Sequence, residues 1–419
     1  MVNRFLDKAQ RLFRVDIRYV LKGNFWLNIN RFASVANGIA LSVAFAHLLT
    51  KEAYGTYAFA LAVLGVFSAP QTTGLGSGIL RGIGRGSESI IYEGMRRVLP
   101  WSLGGTLLLG GTAIYYYVMG NTDLSIIFGL GSIVLPVSVS IGVAKSFFSL
   151  KGDFKRLATF NLFRTPFMTI ALVIAAWFTQ SALVILITNI IGNIILGSFL
   201  YLSMKRVYKT EFSQPSTEKF NSRYAFHAGF LSMFGYLSEK LDSIILWKFL
   251  GGAPVAIYTY AMAPVRELRS LAENQSLLAI PKFIKKDFEE VRSNLAFRIK
   301  QIYIVVIPLI LIYILVAPFI FKILFPQYLD SVWFSQLAAL SLLSAPRRLI
   351  SSAISAHQKI KESYIMIALP NIIRIVLAVS LIPLFGIKGA IGALLVSEVI
   401  DYGILGVLIN RPHKNIQKP

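Results

Sequence analysis

The sequence predicts an all-α integral membrane protein with twelve transmembrane helices in two six-helix lobes. Three observations carry that prediction. First, 55% of the 419 residues are hydrophobic and only 15% are charged, whereas soluble domains carry about 25% charged residues. Mean hydropathy is +0.63. Second, apolar runs recur along nearly the whole chain, each near the length of about 20 residues that crosses the hydrocarbon core as a helix. They are too long for the strands of a barrel and lack its alternation. Third, the basic residues cluster between alternate runs, as the positive-inside rule expects.

The runs follow in order. Residues 1–23 are basic (Arg4, Lys8, Arg11, Arg14, Arg18, Lys22) and have no apolar stretch before a small-residue cleavage site. They are expected to form an amphipathic helix on the inner leaflet. Runs 24–49 and 53–79 come next, followed by Arg81, Arg85, Arg96 and Arg97. Runs 98–119 and 124–149 are followed by Lys151, Lys155 and Arg156, and runs 157–178 and 181–204 by a polar stretch, 205–222. Runs 223–250 and 253–280 are followed by the basic segment Lys282–Lys300, and runs 297–325 and 331–355 by Lys359 and Lys361. Runs 361–383 and 388–410 precede a basic tail, 411–419. The connections on the other side are short and, apart from Lys51 and Lys388, nearly free of Lys and Arg. Both termini are therefore expected in the cytoplasm.

Residues 205–222 divide the chain into an N-lobe, 24–204, and a C-lobe, 223–410, of 181 and 188 residues. GTYAFAL at 55–61 and AIYTYAM at 256–262 echo each other early in the second run of each lobe. Equal lengths and a shared echo point to parallel six-helix repeats.

Several function classes fall away. The net charge of +22 would favour nucleic acid, but its placement between spans argues for membrane topology instead. The chain has no cysteine, so disulfides and thiolate metal sites are excluded. His47, His227 and His357 show no metal-ligand spacing. The glycine-rich TTGLGSGILRGIGRG, 72–86, ends a hydrophobic run, where close packing explains it better than a phosphate-cradling loop. No outside loop is large enough for a catalytic domain. No cofactor is implied.

Charges inside the runs are the functional candidates, because each costs about 2.5–3.5 kcal/mol at a helix centre. Arg31, Lys145, Arg164, Lys240, Arg266, Arg269, Arg347, Arg348 and Arg374 are the basic ones; Glu239, Asp242, Glu267, Glu273, Glu398 and Asp401 are the acids. Glu239 and Asp242 share a helix face, Arg266, Arg269 and Glu273 form a stripe, and Glu398 and Asp401 repeat the three-residue spacing. Lys145, Arg347 and Arg348 lie close enough to the cytoplasmic side to snorkel. Arg374 can pair with Glu398 or Asp401, or it can face a cavity. A hollow rich in guanidinium suits a phosphate-bearing anion, held by Arg31, Arg164, Arg266, Arg269 and Arg374. Glu239, Asp242 and Glu273 would balance that charge or bind a coupling H⁺ or Na⁺. Prolines within the runs (Pro70, Pro136, Pro264, Pro346 and Pro370 among them) allow bending.

Twelve runs in two halves, a basic N-terminal segment, KEAYGTYAFA at 51–60 and EKLDSIILWKFLGGAPVAIYTYA at 239–261 resemble polysaccharide flippases of the O-antigen (Wzx) type. Those belong to the MATE-like superfamily of multidrug, oligosaccharidyl-lipid and polysaccharide exporters. The resemblance implies two lobes in a V around a central cationic lumen. It also implies alternating access by a non-enzymatic transporter of the inner membrane. The implied substrate is an undecaprenyl-diphosphate-linked oligosaccharide, flipped from the cytoplasmic to the periplasmic leaflet. Membrane lipids and polysaccharide polymerase machinery are the implied partners. Family members often carry an acid before a glycine at the end of the second span; Thr73–Gly74 stands there in this sequence, while Asp242 matches the family's D-x-I-I-L run. A cation-coupled multidrug or small-metabolite antiporter of the same fold is the alternative, and a membrane glycosyltransferase, polymerase or ligase is a third.

Overall fold

The computed structural model describes residues 17–214, 216, 218–277, 288–356 and 360–410. Residues 1–16 of the predicted surface helix 1–23, the basic stretch 278–287, Lys359 and the tail 411–419 lie outside the described residues, while residues 17–23 begin the first described helix. Among the described residues every regular element is helical. They form α1 (Ile17–Leu48), α2 (Lys51–Gly84), α3 (Ile90–Val118), α4 (Thr122–Leu150), α5 (Phe154–Thr179) and α6 (Ala182–Val207). A single turn, Lys209–Phe212, precedes α7 (Ser222–Leu250) and α8 (Gly252–Leu277). Then come α9 (Phe288–Leu324), α10 (Ser331–Ala339), α11 (Arg347–Ala356) and α12 (Ile360–Asn410).

Every predicted run is helical where it is described, but among the described residues seven helices are long and apolar enough to cross a membrane, or eight with α4 taken across its 42° bend. The shortfall from twelve has physical causes. The run Ala368–Ile409 counts once although it carries the eleventh and twelfth predicted spans, which meet at Gly386. Gly386 has φ +58 inside α12, a left-handed conformation that only glycine adopts without strain. The run 331–355 is divided. Pro346 has no N–H to continue a helix, so the chain tightens into a 3-10 segment over Leu340–Ser344 and restarts as α11. The helices α7 and α8 carry the charges discussed above. Leu107, Ile133, Phe178, Leu315 and Val399 are among the large apolar side chains left exposed, a distribution suited to lipid rather than water.

Contacts divide the chain into two units: residues 1–48 with 64–233, and residues 49–63 with 234–419. Relative to lobes divided at 205–222, the start of α2 packs with the second unit and the start of α7 with the first.

In the first unit, Leu75, Ile79 and Ile83 repeat every four residues along α2 and meet Ile90, Ile91 and Val98 of α3. Phe147 and Phe148 of α4, Leu200 and Met204 of α6, and Phe220 complete that core. Helix ends are closed by side chains: Asn121 Oδ1 accepts from Leu124 N at 3.1 Å, and Asp153 Oδ1 from Arg156 N at 3.3 Å.

In the second unit, Ile245 and Leu246 of α7, Val255, Tyr258 and Met262 of α8, Val306 and Ile310 of α9, Ala338 of α10, and Ala378, Ile382 and Leu394 of α12 share one core. The start of α2 and the start of α8, which carry the two echoed segments, meet here. Gly55 of α2 lies directly on Gly252, so that a Cβ at position 55 would overlap the Gly252 carbonyl. Glu52 Oε2 accepts from Ala253 N at 2.9 Å, capping α8 from a neighbouring helix. The Tyr54 ring lies 4.7 Å from Tyr260, which stacks on Tyr328 at 3.9 Å.

Gly55→Val should therefore force α2 and α8 apart and cost about 1–3 kcal/mol, the usual penalty of overpacking. Thermal unfolding of the detergent-solubilised protein would show a lower midpoint; an unchanged midpoint would mean that the two helices do not touch at this position.

Candidate functional site: an arginine-lined cavity in the second unit

A cavity of about 440 Å³ lies within the second unit. Its lining includes Arg266 and Arg269 of α8, Arg347 and Arg348 of α11, and Arg374 of α12, with Glu239 of α7 as the single acid among the described residues. The α8 residues Tyr258, Met262, Val265, Arg266 and Arg269 line one side, at spacings that keep them on one helical face.

Three carboxylates stand behind this lining, each holding one arginine. Asp242 is 0% exposed. Its Oδ2 accepts from Arg374 Nη2 at 2.8 Å and from the Tyr258 hydroxyl at 2.6 Å. Glu398 Oε1 accepts from Arg269 Nη1 at 2.7 Å. Asp401 pairs with Arg347. Among the described residues, Asp242 Oδ1, Glu398 Oε2, Asp401 Oδ1 and Arg374 Nε have no hydrogen-bond partner. Arg266 is exposed and has no ion-pair partner among the described residues. The Glu239 carboxylate takes Lys240 Nζ at 2.8 Å.

The local sequence explains these placements. Asp242 lies three and four residues before Ile245 and Leu246, and Arg374 lies four before Ala378, so the apolar residues that build the core carry both charges to its edge. The break before Pro346 does the rest. In the 3-10 segment Ala345 N donates to Leu342 O, and the Ser341 carbonyl accepts from the Ser344 hydroxyl at 2.8 Å and from Arg269 Nη2 at 3.2 Å. The same break puts Arg347 and Arg348 at the first turn of α11, where both line the cavity.

The structure thus brings Arg266, Arg269, Arg374 and Glu239 to one cavity, with Asp242 directly behind it. The ion pair of Arg374 is with Asp242, not with Glu398 or Asp401: the two acids of α12 lie beyond Gly386 and meet α8 and α11 instead. Arg347 and Arg348 line the cavity rather than snorkelling away from it. The proline that breaks the helix was the signal for this. Arg31 is half-buried on α1 of the first unit. Arg164 lies on α5, also in the first unit, where it donates to Asn193 of α6 and lines a separate cavity. Glu273 lies on α8, but its side chain is outside the described ones.

Buried carboxylates thus hold Arg269, Arg347 and Arg374 where these residues line the cavity. Guanidinium offers five donors in a planar fork and keeps its charge. Such a wall is prepared for a polyanion with several oxygens, phosphate above all.

A family model described as a polysaccharide biosynthesis protein matches residues 44–333. The chain belongs to that family. No curated protein matches the sequence. Solved structures share the fold at low identity. A lipid II flippase, MurJ, in an inward closed conformation superposes with a TM-score of 0.69 at 15% identity, over 90% of this chain and 86% of that one. An inward-facing multidrug resistance MATE family transporter of the MOP superfamily gives 0.62 at 13%, over 90% and 94%. A MOP superfamily transporter from Pyrococcus furiosus, whose binding pocket is described as reversed in polarity, gives 0.62 at 12%, over 93% and 95%. The chain is a multi-pass membrane protein with the MATE-like fold.

Removing one partner of the Asp242–Arg374 pair strands a buried charge, which typically costs about 3–5 kcal/mol, whereas removing both does not. Asp242→Leu and Arg374→Met should each lower the thermal midpoint sharply, and the double variant should recover much of the loss. Additive losses in that cycle would show that the pair is not coupled.

Proposed function

We propose that the protein is a flippase. Its cargo would be an isoprenoid-diphosphate-linked oligosaccharide, the repeat unit of an O-antigen or similar surface polysaccharide. It would carry this from the cytoplasmic to the outer leaflet of the inner membrane by alternating access. The observation that carries the reading is the cavity lined by five arginines and one glutamate. Family membership supports the polysaccharide end of it. The likeness in fold to a structure titled as a lipid II flippase agrees with a lipid-linked cargo.

The barrier to such a reaction is the desolvation of a charged sugar-diphosphate head in hydrocarbon. Arg266 would take the diphosphate first, having no carboxylate of its own among the described residues. Arg269 and Arg374 would then share their free N–H groups with it while Glu398 and Asp242 keep their orientation. The isoprenoid tail stays in the lipid. If the diphosphate draws Arg374 forward, Asp242 needs another counter-charge, and a proton or sodium ion entering there would couple transport to an ion gradient. A net basic wall suits a cationic drug poorly, which separates this reading from the multidrug antiporter.

Each charge-assisted hydrogen bond lost should cost about 1.5–3 kcal/mol, or roughly 10- to 100-fold in rate. Arg266→Ala and Arg269→Ala should therefore cripple surface-glycan assembly in a complementation assay while immunoblots show normal protein levels. Full complementation by both variants at wild-type abundance would exclude the cavity as the cargo site.

A further inference from the structure

A second cavity, of about 960 Å³, lies wholly within the first unit, along the cleft between α5 and α6. Its lining is basic at Lys155, Arg156 and Arg164 and aromatic at Phe160, Phe163, Phe167 and Phe199. On α5 these residues recur every three or four positions, which puts cations and rings on one face. Phe163, Phe167 and Phe199 are 76%, 60% and 66% exposed, so the wall opens sideways rather than into a packed core.

The charges are arranged in depth. Lys155 and Arg156 begin α5 and are exposed. Asp153, the acid in the lining, is already engaged: it takes Arg156 Nη1 at 2.9 Å and the Tyr208 hydroxyl at 2.9 Å. Lys155 Nζ lies 6.0 Å from the Trp26 ring. Arg164 stands eight residues further along, about 12 Å by helical rise, and Asn193 of α6 holds its guanidinium in place. Asn193 is itself fixed by Asn189 Oδ1 at 3.0 Å. A basic mouth, an oriented arginine about two turns deeper and an exposed aromatic wall match an amphiphile whose anionic head sits at the membrane surface.

We propose that this cleft is a binding site for an anionic glycerophospholipid of the adjacent leaflet. The head-group phosphate would lie on Lys155 and Arg156, the glycerol esters within reach of Arg164, and an acyl chain along Phe163, Phe167 and Phe199. A leaflet lipid is the occupant because a cleft open to the bilayer fills by mass action with the abundant species whose charge complements it. A zwitterionic lipid offers no net charge to the basic mouth. The inference does not depend on what the arginine-lined cavity of the second unit carries.

The test uses the full-length purified protein in nanodiscs of phosphatidylcholine with or without phosphatidylglycerol, read by lipid retention in native mass spectrometry and by thermal stability. With two phosphate-contacting cations near the surface, retention of phosphatidylglycerol over phosphatidylcholine should be about thirtyfold. The preference should fall as salt rises. Lys155→Gln with Arg156→Gln, both at exposed positions, should abolish the preference while leaving stability in pure phosphatidylcholine unchanged. The salt series on the wild-type protein stands independently of any variant. Equal retention of the two lipids, a preference insensitive to salt, or displacement of phosphatidylglycerol by an equal amount of polyprenyl phosphate would each overturn the proposal.

Discussion

The second unit depends on carboxylates buried behind arginines. Taking an ion from water into a protein interior costs several kcal/mol even after relaxation, and only a close partner offsets it. Asp242, with no exposure at all, meets that cost through Arg374 and the Tyr258 hydroxyl. Glu398 and Asp401 do the same through Arg269 and Arg347. In hydrocarbon the alternative to such pairing is worse, so the pairs fix how α7, α8, α11 and α12 meet. The arrangement also has a chemical consequence: an arginine anchored from behind presents its other donors without first having to be ordered, which is the usual meaning of a preorganised site.

Irregular backbone builds the rest. A regular helix through 331–355 would not put Arg347 and Arg348 at a helix start. Pro346 does so by ending one hydrogen-bonding pattern and starting another, and the Ser341 carbonyl beside the break accepts from both the Ser344 hydroxyl and Arg269. Gly386 separates the arm of α12 that carries Arg374 from the arm that carries Glu398 and Asp401, so one helix supplies charges to three different partners. Non-helical backbone at membrane depth is tolerated where it is buried in protein or lines a cavity, and the tightened Leu340–Ser344 segment lies beside Arg269 and Glu398.

What was legible in the sequence follows from what spacing encodes. The all-helical membrane fold was plain from apolar runs and loop charges, both local signals. Arg266 and Arg269 could be placed on one face, and Glu398 with Asp401 on another, because helical period alone decides it. Partners across helices were not legible: Arg374 pairs with Asp242, 132 residues away, and no local pattern distinguishes that from a pairing with Glu398. Arg347 and Arg348 lie near the cytoplasmic end of the run 331–355, where sequence position alone favours snorkelling; their place in the cavity lining depends on the helix break at Pro346. Arg31 and Arg164 share chemistry with the cluster on α8 but lie in the other unit; residue type shows that a buried charge needs company and does not say whose. The contacts Gly55–Gly252 and Tyr54–Tyr260 give a physical setting to the echo between 55–61 and 256–262, since the helix starts that carry those segments are neighbours in space.

The central claim is that the arginines of α8, α11 and α12 form one wall for a diphosphate. The most direct measurement is an experimental structure of the purified protein with a short-chain isoprenoid diphosphate bearing a sugar. Density for the two phosphates within hydrogen-bonding distance of Arg266, Arg269 and Arg374 is the predicted result. Phosphates bound elsewhere, with Arg374 still turned wholly to Asp242 and the cavity unfilled, would contradict it.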